Sequence, residues 1–515
     1  MAESYFAEPK YLHQAINSAE SEQWKEAIEI ELNNMNDHEV WEVVEKKEDN
    51  KLLNCTWVFK IKKNSENEAM EYKARFCVQG FKQTEGLDYF TTFAPTGKLT
   101  SLRMLISFAL DNNLKFHQID IRSAFLNATL NAYILLNPPP GINVQKNQVL
   151  KLKKAMYGLK QAPQAWHQNF STWLFSIGFR RTDAEPCVFW RKGTYLYLHV
   201  DDIAIFSKTP EIFKSEVKSK FKVKDLGEAS FLLGMKIEKL SDSTNISQSH
   251  YIDNLLSRFN FENLAPSKTP LNPKGHLVKA SKSEIEEFQK LNINFRQLVG
   301  ALNFLSTTSR PDITYAVNSL SQFLINPGIK HYEAIKQVFC YLKYSKHQSL
   351  KIKKNINSNF TLKAYTDSDW ANCKDSGKSI SGYIIIWNNN VISWKSKKQI
   401  TLSHSSTEAE YKAIGDTTKE IMWIKIILNK IFNIRLKPPT VIHEDNQGVI
   451  ELANNESNDK NFKTKHMNLR HHFICHEIKT KNIDLQYVRS AQNLADFLTK
   501  PVGSTSLSQA RKILF

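Results

Sequence analysis

Apolar residues in the first third of the chain follow two periods in turn. Trp24, Ala27, Ile28, Leu32 and Met35 recur near helical spacing, which predicts a helix over 24–44. The segments 57–61 and 72–78 are rich in β-branched and aromatic residues. They predict two strands joined as a hairpin through the polar stretch 63–69. Helices are predicted over 101–109 and 166–176, the latter stopping near Gly178, and a strand over 115–121. From 240 to about 292 the chain turns polar and carries Pro266, Pro270, Pro273 and Gly275, which predicts a short helix over 251–259 and then a connecting segment. Helical periodicity returns around 295–306, 313–324 and 332–344, and the polar break at 355–359 marks a domain boundary. Beyond it the pattern runs strand, strand, strand, long helix, strand, helix, a separate α/β unit.

Length and charge narrow the class. A chain of 515 residues exceeds one ordinary core and predicts two to four domains. With 41% hydrophobic residues it can build large cores. Its 69 basic against 52 acidic residues give +17. Lys and Arg in excess fit a polyanionic partner, because phosphate neutralisation drives nucleic-acid binding. The charge is uneven: residues 1–50 hold 13 acidic and 4 basic groups, net −9, leaving +26 on the remainder. The body is thus the part expected to meet nucleic acid. Six cysteines include no Cys-x-x-Cys pair, so no zinc knuckle or ribbon is visible, and reduced thiols are the default. The opening residues lack the basic and apolar regions of a signal peptide, and no apolar run reaches membrane-spanning length. A soluble, intracellular protein without a membrane partner is expected.

The first acid constellation lies between two β-rich runs, Tyr195-Leu196-Tyr197-Leu198-His199-Val200 and Ile203-Ala204-Ile205-Phe206, interrupted by Asp201-Asp202. Taken alone, the pair reads as a hairpin turn, where Asp is common. A second strand, Phe116-His117-Gln118-Ile119-Asp120-Ile121, also ends in acid, with Asp120 on the Gln118 face by alternation. Carboxylates from two strands can hold two hard divalent ions, which stabilise the attacking and leaving oxygens of a phosphoryl transfer. Lys60, Lys62, Lys73 and Arg75 on the predicted hairpin offer charge for a triphosphate, or form a solvated strand face.

The second constellation lies past the polar break. Asp367 and Asp445 end predicted strands, Glu408 begins the long helix, and Asp496 lies in the predicted final helix. Four acids at element ends of an α/β unit suit a two-metal nuclease. Each has a structural reading as well. Ser405-Ser406-Thr407-Glu408 is a capping-box pattern, and Asp369 could serve in place of Asp367.

The motifs WVFKIK (57–62), YKARFCVQGF (72–81), HQIDIRSAFLNA (117–128), LKKAMYGLKQAPQAW (152–166), HVDD (199–202), DLGEASFLLGMKI (225–237) and TSRPDITYAV (308–317) are followed by AYTDSDWA, SSTEAEY, HEDNQ, TKHMNLRHHF and NLADFLTKP. In this order they resemble the reverse transcriptase and RNase H of copia-type LTR retrotransposons. The resemblance implies an α+β and α/β multidomain chain, a right-hand polymerase of fingers, palm and thumb followed by an RNase H-like α/β domain. It implies polymerase metal ligands Asp120, Asp201 and Asp202. It places Lys62 and Arg75 over the triphosphate, Phe125 under the sugar where a ring excludes a 2′-OH, and Gln161 near template and nucleotide. It implies RNase H ligands Asp367, Glu408, Asp445 and Asp496. The chain departs at His199, where the family usually has Tyr before Val-Asp-Asp, a change that bears on rate or fidelity more than on chemistry. It also lacks the His that many RNase H enzymes carry just before the last Asp.

The expectation is therefore an RNA-directed DNA polymerase with RNase H activity, using Mg²⁺, two ions per active site, with Mn²⁺ as an alternative. The partners implied are RNA template, DNA primer, RNA–DNA hybrid and dNTPs, with the gag particle and integrase of the same element. The expected layout is an acidic, poorly ordered leader over 1–23, fingers and palm over 24–240, thumb and connection over 241–355, the RNase H-like domain over 360–503 and a tail over 504–515. The implied location is cytoplasmic, in a virus-like particle if the element is intact, or nuclear. The rival from another class is a decayed element fragment that only binds nucleic acid.

Overall fold

A computed structural model describes residues 8–63, 69–139, 142, 144–356, 359–454 and 465–515, with the side chains of 62–63, 69–70 and 465–468 outside that description. The chain has mixed α/β content and divides into two units, Met1–Gly97 with His117–Gly227, and Lys98–Phe116 with Glu228–Phe515.

In the first unit, helix α1 (Ser21–Asp37) turns Trp24, Ala27, Glu31 and Met35 inward. They pack on a two-stranded hairpin, β1 (Cys55–Lys63) and β2 (Ala69–Val78). Strand alternation puts Trp57, Phe59, Ala74 and Phe76 on the buried face, and Trp24 meets Phe59 and Tyr72 edge-on. Val58, Lys60, Lys73 and Arg75 therefore share the opposite face. The helix stops at Asp37, short of the predicted 44. Glu39 takes a left-handed conformation (φ 48°), and Trp41–Glu45 pairs antiparallel with Gln148–Leu152. Here tertiary pairing overrides the local helical pattern.

The chain then builds a six-stranded sheet. Its strands are β3 (Lys115–Ile121), β4 (Arg180–Thr182), β5 (Glu185–Arg191), β6 (Thr194–His199), β7 (Asp202–Ser207) and β8 (Val223–Glu228), in the order β8-β3-β7-β6-β5-β4. Helix α2 (Ala162–Ser176) begins with Pro163 in its first turn, where a missing N–H costs nothing, and buries Trp166, Phe170 and Leu174. Helix α3 (Pro210–Lys218) buries Phe213 and Val217. These rings join Phe221 in the core of the unit.

The second unit carries the helix Leu99–Asp111, pinned by Arg103. Its guanidinium donates to the carbonyls of Thr307, Thr308 and Ile392 and lies 3.8 Å over Trp394. Helices Phe295–Thr308, Thr314–Ser321 and Ile329–Tyr344 follow. Between them a fully buried Arg310 makes a bidentate pair with Asp312, which also accepts from Tyr341.

A five-stranded mixed sheet comes next. Its strands are β9 (Leu362–Asp369), β10 (Ile380–Trp387), β11 (Asn390–Lys398), β12 (Thr440–Glu444) and β13 (Ile483–Tyr487), in the order β11-β10-β9-β12-β13. Helix α4 (Ser406–Lys430) packs along β9 and β10. The expected boundary at 355–359 does not separate compact units. Lys353 donates its N–H to Asn390 and Asn355 donates its N–H to Asp111, tying both sides together. The expected tail is a helix, Ser504–Leu514, that buries Leu507, Ala510 and Leu514. Among the described residues no helix is long and apolar enough to cross a membrane.

Candidate active sites

The first site is a hairpin tip. β6 and β7 pair through His199 and Asp202, which leaves Val200 and Asp201 as a two-residue turn. The acid pair thus straddles the turn and the strand: Asp201 is the second turn residue and Asp202 the first residue of β7. The first turn residue has φ 62°, a position that favours Gly, yet it is the β-branched Val200. Two contacts hold the tip. Trp166 donates its indole N–H to the Val200 carbonyl at 2.7 Å, and Ile121 donates its backbone N–H to the Asp201 carbonyl at 3.0 Å. The second bond lays the strand carrying Asp120 against Asp201. Gln118, buried and two residues before Asp120, donates to Asp202 at 3.1 Å. Burial raises the Asp202 carboxyl above its ordinary value, with Asp201 adding and the Gln118 bond and His199 opposing. His199 Nδ1 is buried without a hydrogen-bond partner.

The other residues expected around this tip divide. Arg75 stands on the outer face of β2, its guanidinium 5.4 Å from the Tyr157 ring centroid. Phe125 is half-buried in the short 3₁₀ turn Ala124–Asn127, which follows Ser123 in the left-handed region. The Lys62 side chain lies outside the described residues. Gln161 is tied to a loop. It is only 8% exposed, its amide oxygen accepts from Gln83 at 3.0 Å, and its amide nitrogen donates to the Asp88 carbonyl at 3.0 Å. Both ends of that side chain hold the 83–88 loop, and each end keeps a further donor or acceptor site.

The second site is a cluster inside the mixed sheet. Parallel register pairs Tyr365 with His443, so Asp367 and Asp445, each two residues on, lie at neighbouring positions. Glu410 reaches them from α4. Asp367, Glu410 and Asp445 offer carboxylate oxygens within 4.8 Å of one another, the one such set of three among the described residues. Asp120, Asp201 and Asp202 do not converge so closely. Asp367 is 3% exposed and Glu410 6%.

Asp496 joins from the far side. Asp367 pairs across β10 with Gly382, where an added Cβ would stand 2.7 Å from the Leu498 Cβ. The missing side chain lets the Asp496–Leu498 turn lie against the sheet, and Asn493 ties that turn to the Thr366 carbonyl at 2.9 Å. Lys500 Nζ lies 3.2 Å from Asp496 and 3.9 Å from Asp367, and Thr499 donates to Asp367.

Glu408 is the correction at this site. Its backbone N–H donates to Ser405 at 3.1 Å, its carboxylate accepts from the His404 N–H at 2.9 Å, and Lys412 pairs with it at 2.9 Å. It caps α4 and stands outside the cluster. Although burial acts against it, the Lys412 and His404 contacts hold its carboxyl below the ordinary value. Glu410 is the residue that the sequence reading missed, and the signal was present. Glu410, Ile414, Thr417, Ile421, Ile424 and Leu428 repeat at spacings of four and three, the buried stripe of α4. Glu444 was missed too; it is fully buried beside Asp445.

The electrostatics match the packing. Burial pushes the Asp367 carboxyl up to about 7, with Asp496 and Asp445 adding and Lys500 and Thr499 opposing. Burial likewise raises Glu410 and Glu444 well above the ordinary range, reinforced by the acids around them. Glu410 and Glu444 each keep one buried oxygen without a hydrogen-bond partner. Converging hard oxygen donors with unspent lone pairs fit a divalent ion such as Mg²⁺.

Residues 38–273 match the family model described as Reverse transcriptase (RNA-dependent DNA polymerase). The chain is 34% identical over 523 residues to the retrovirus-related Pol polyprotein from transposon TNT 1-94 of Nicotiana tabacum, covering 98% of this chain and 39% of that protein. It is 35% identical over 502 residues to the corresponding polyprotein from transposon RE1 of Arabidopsis thaliana, covering 96% of this chain and 34% of that protein. The putative transposon Ty5-1 protein of Saccharomyces cerevisiae is 31% identical over 314 residues, 59% of this chain and 100% of that protein. This chain therefore spans little more than a third of the two plant polyproteins. Among solved structures, the foamy viral protease-reverse transcriptase dRH in complex with ds DNA is similar with a TM-score of 0.48 and 12% identity, covering 90% of this chain and 70% of that chain.

Proposed function

The chain belongs to the reverse transcriptase family of copia-type retrotransposon Pol proteins, and from that premise we propose that it is an RNA-directed DNA polymerase with a second, RNase H-type active site. The observation that carries the polymerase reading is the Ile121-to-Asp201 backbone bond, because it sets strand-borne Asp120 beside the turn acids. The α1-buttressed hairpin would act as fingers and the six-stranded sheet as palm, with 241–355 as thumb and connection. RNA template, DNA primer and dNTPs are the proposed partners, and the gag particle and integrase belong to the same proposal.

Asp120, Asp201 and Asp202 would hold two Mg²⁺ ions, which supply charge stabilisation to the attacking 3′-oxygen and the leaving pyrophosphate oxygen. The chain's own residues do the rest. The strained turn and the Trp166 anchor fix where the acids point. Gln118 orients Asp202 by a direct hydrogen bond. Arg75 presents positive charge to the triphosphate, and the Phe125 ring closes the space that a 2′-OH would need. In the second site Asp367, Glu410, Asp445 and Asp496 would hold the ions for hydrolysis of the RNA strand, a role supported by their convergence.

Primer extension on poly-rA/oligo-dT with Mg²⁺ tests the reading. Wild type should extend the primer, while Asp201→Ala, Asp202→Ala should lose at least ~100-fold, since several kcal/mol of transition-state stabilisation goes with the acids. Equal extension by both proteins would sink the polymerase reading and leave a nucleic-acid-binding relic.

A further inference from the structure

We propose that Tyr157 is a positioning residue for sugar selection: it fixes the Phe125 ring and links that ring to Arg75. The proposal rests on the reading of Phe125 as the sugar gate. Phe125 and Tyr157 meet edge-to-face, with ring centroids 5.1 Å apart and planes at 65°. This is the preferred geometry of an aromatic pair. On the Tyr157 ring sits the Arg75 guanidinium, 5.4 Å from its centroid. The three side chains come from three separate stretches of chain: a strand of the cationic hairpin, the turn after Asp120, and the loop before α2. They form one stack, Arg75 on Tyr157 on Phe125.

The middle member of the stack is held through its backbone. Val78, at the end of β2, donates its N–H to the Tyr157 carbonyl at 2.8 Å. The next residue, Gly158, has φ 90°, and a Cβ there would stand 2.0 Å from the Val78 carbonyl oxygen. The loop is thus pressed backbone to backbone against the strand that carries Arg75, so Tyr157 moves with that strand. Phe125, by contrast, sits on a four-residue 3₁₀ turn whose side-chain bonds are local, Asn127 donating to the Ser123 and Ala124 carbonyls. A ring on so short a turn needs a neighbour to hold its angle, and Tyr157 supplies it. Burial pushes the Tyr157 phenol up to about 12, with Asp201 and Asp120 among the charges that add to the shift and Arg75 opposing. The phenol therefore stays protonated at working pH, and the ring face rather than the hydroxyl is what the stack uses.

Tyr157 should change which sugar is accepted while leaving the chemical step alone. The measurement is kcat/KM for dTTP and for UTP on poly-rA/oligo-dT with the full chain. Phe125→Ala is run first and should lower the dTTP preference by itself. Tyr157→Ala should then lower the preference about tenfold, the scale of one lost aromatic pair, mainly through KM for UTP. Adding it to Phe125→Ala should lower it no further. Tyr157→Phe keeps the ring and should restore the wild-type ratio, while Tyr157→Leu keeps the volume without the ring and should behave as Ala does. The Leu variant serves where Ala perturbs folding, judged by its melting temperature. If Phe125→Ala changes selectivity and neither Tyr157→Ala nor Tyr157→Leu does, Tyr157 has no positioning role. An additive loss in the double variant would equally overturn it. If Phe125→Ala itself leaves selectivity unchanged, the gate reading fails, and the inference with it.

Discussion

Asp201 stands in a two-residue turn whose first residue, Val200, is held at φ 62°, whereas Asp367 lies inside a strand paired on both sides. The two acid sites are built by opposite means. In the hairpin site the backbone is constrained, and the acids remain half-buried. In the sheet site the backbone is ordinary, and the acids themselves are brought together and buried, with a lysine alongside. The first arrangement stores its cost in a turn. The second stores it in carboxylate repulsion, which a divalent ion relieves.

The largest expected effect follows from that repulsion. Glu410→Gln replaces one ionisable group of the buried cluster with a neutral amide of the same shape. Hydrolysis of the RNA strand in a labelled hybrid should fall at least ~100-fold, as expected when a metal-holding oxygen is lost. At pH 8 the metal-free melting temperature should rise at the same time, because the amide cannot ionise in a dry site beside other acids. Glu408→Gln should do the reverse, keeping hydrolysis and losing about 1 kcal/mol of stability with the helix cap. If Glu408→Gln abolishes hydrolysis and Glu410→Gln does not, the site has been assembled from the wrong glutamate.

The next effect is one of pH. The Asp367 carboxyl, ordinarily near 3.8, is pushed up to about 7 in the folded chain. A raised acid binds its proton more tightly when folded. Its contribution to stability is therefore complete below about 3.8 and is lost as pH rises through about 7. Metal-free protein should thus melt lower at pH 8 than at pH 5, by on the order of 1 kcal/mol per pH unit across that window. Mg²⁺ at pH 8 should restore the loss, and Asp367→Asn should flatten the dependence. A metal-free melting temperature independent of pH would show that the cluster is not strained by charge.

The two sites were also unequally legible in the sequence. Asp120, Asp201 and Asp202 fall at or next to ends of strands whose alternation is plain, and the turn and the acid pair share Asp201. In the sheet site, acids at element ends and the family motif both pointed to Glu408, which lies in the first turn of α4. The helical stripe through Ile414 and Ile421 would have selected Glu410 instead. The bonds that Gln161 makes could not have been read from sequence. Its partners, Gln83 and Asp88, lie more than 70 residues away and are chosen by a loop with no periodic signal. Residues 41–45 read as helix because they continue a helical pattern, and only the pairing with Gln148–Leu152 makes them a strand.

The smallest effect tests whether the hairpin turn is strained at all. Val200 is half-buried against the core, so either small substitution gives up similar packing. The two differ in backbone cost. At φ 62° alanine keeps the penalty of a left-handed L-residue, roughly 1 kcal/mol or more, while glycine loses it. Val200→Gly should therefore be about 1 kcal/mol more stable than Val200→Ala, the inverse of the usual ranking of these residues within strands and helices. Primer extension should move the other way. A glycine tip is free to leave the geometry that aims Asp201 and Asp202, so Val200→Gly should extend more slowly than Val200→Ala. Urea melts and single-turnover extension on the same pair of variants measure both quantities. Should Val200→Ala prove the more stable of the two, the turn holds no strain, and the acids of the hairpin site would owe their placement to the Trp166 and Ile121 bonds alone.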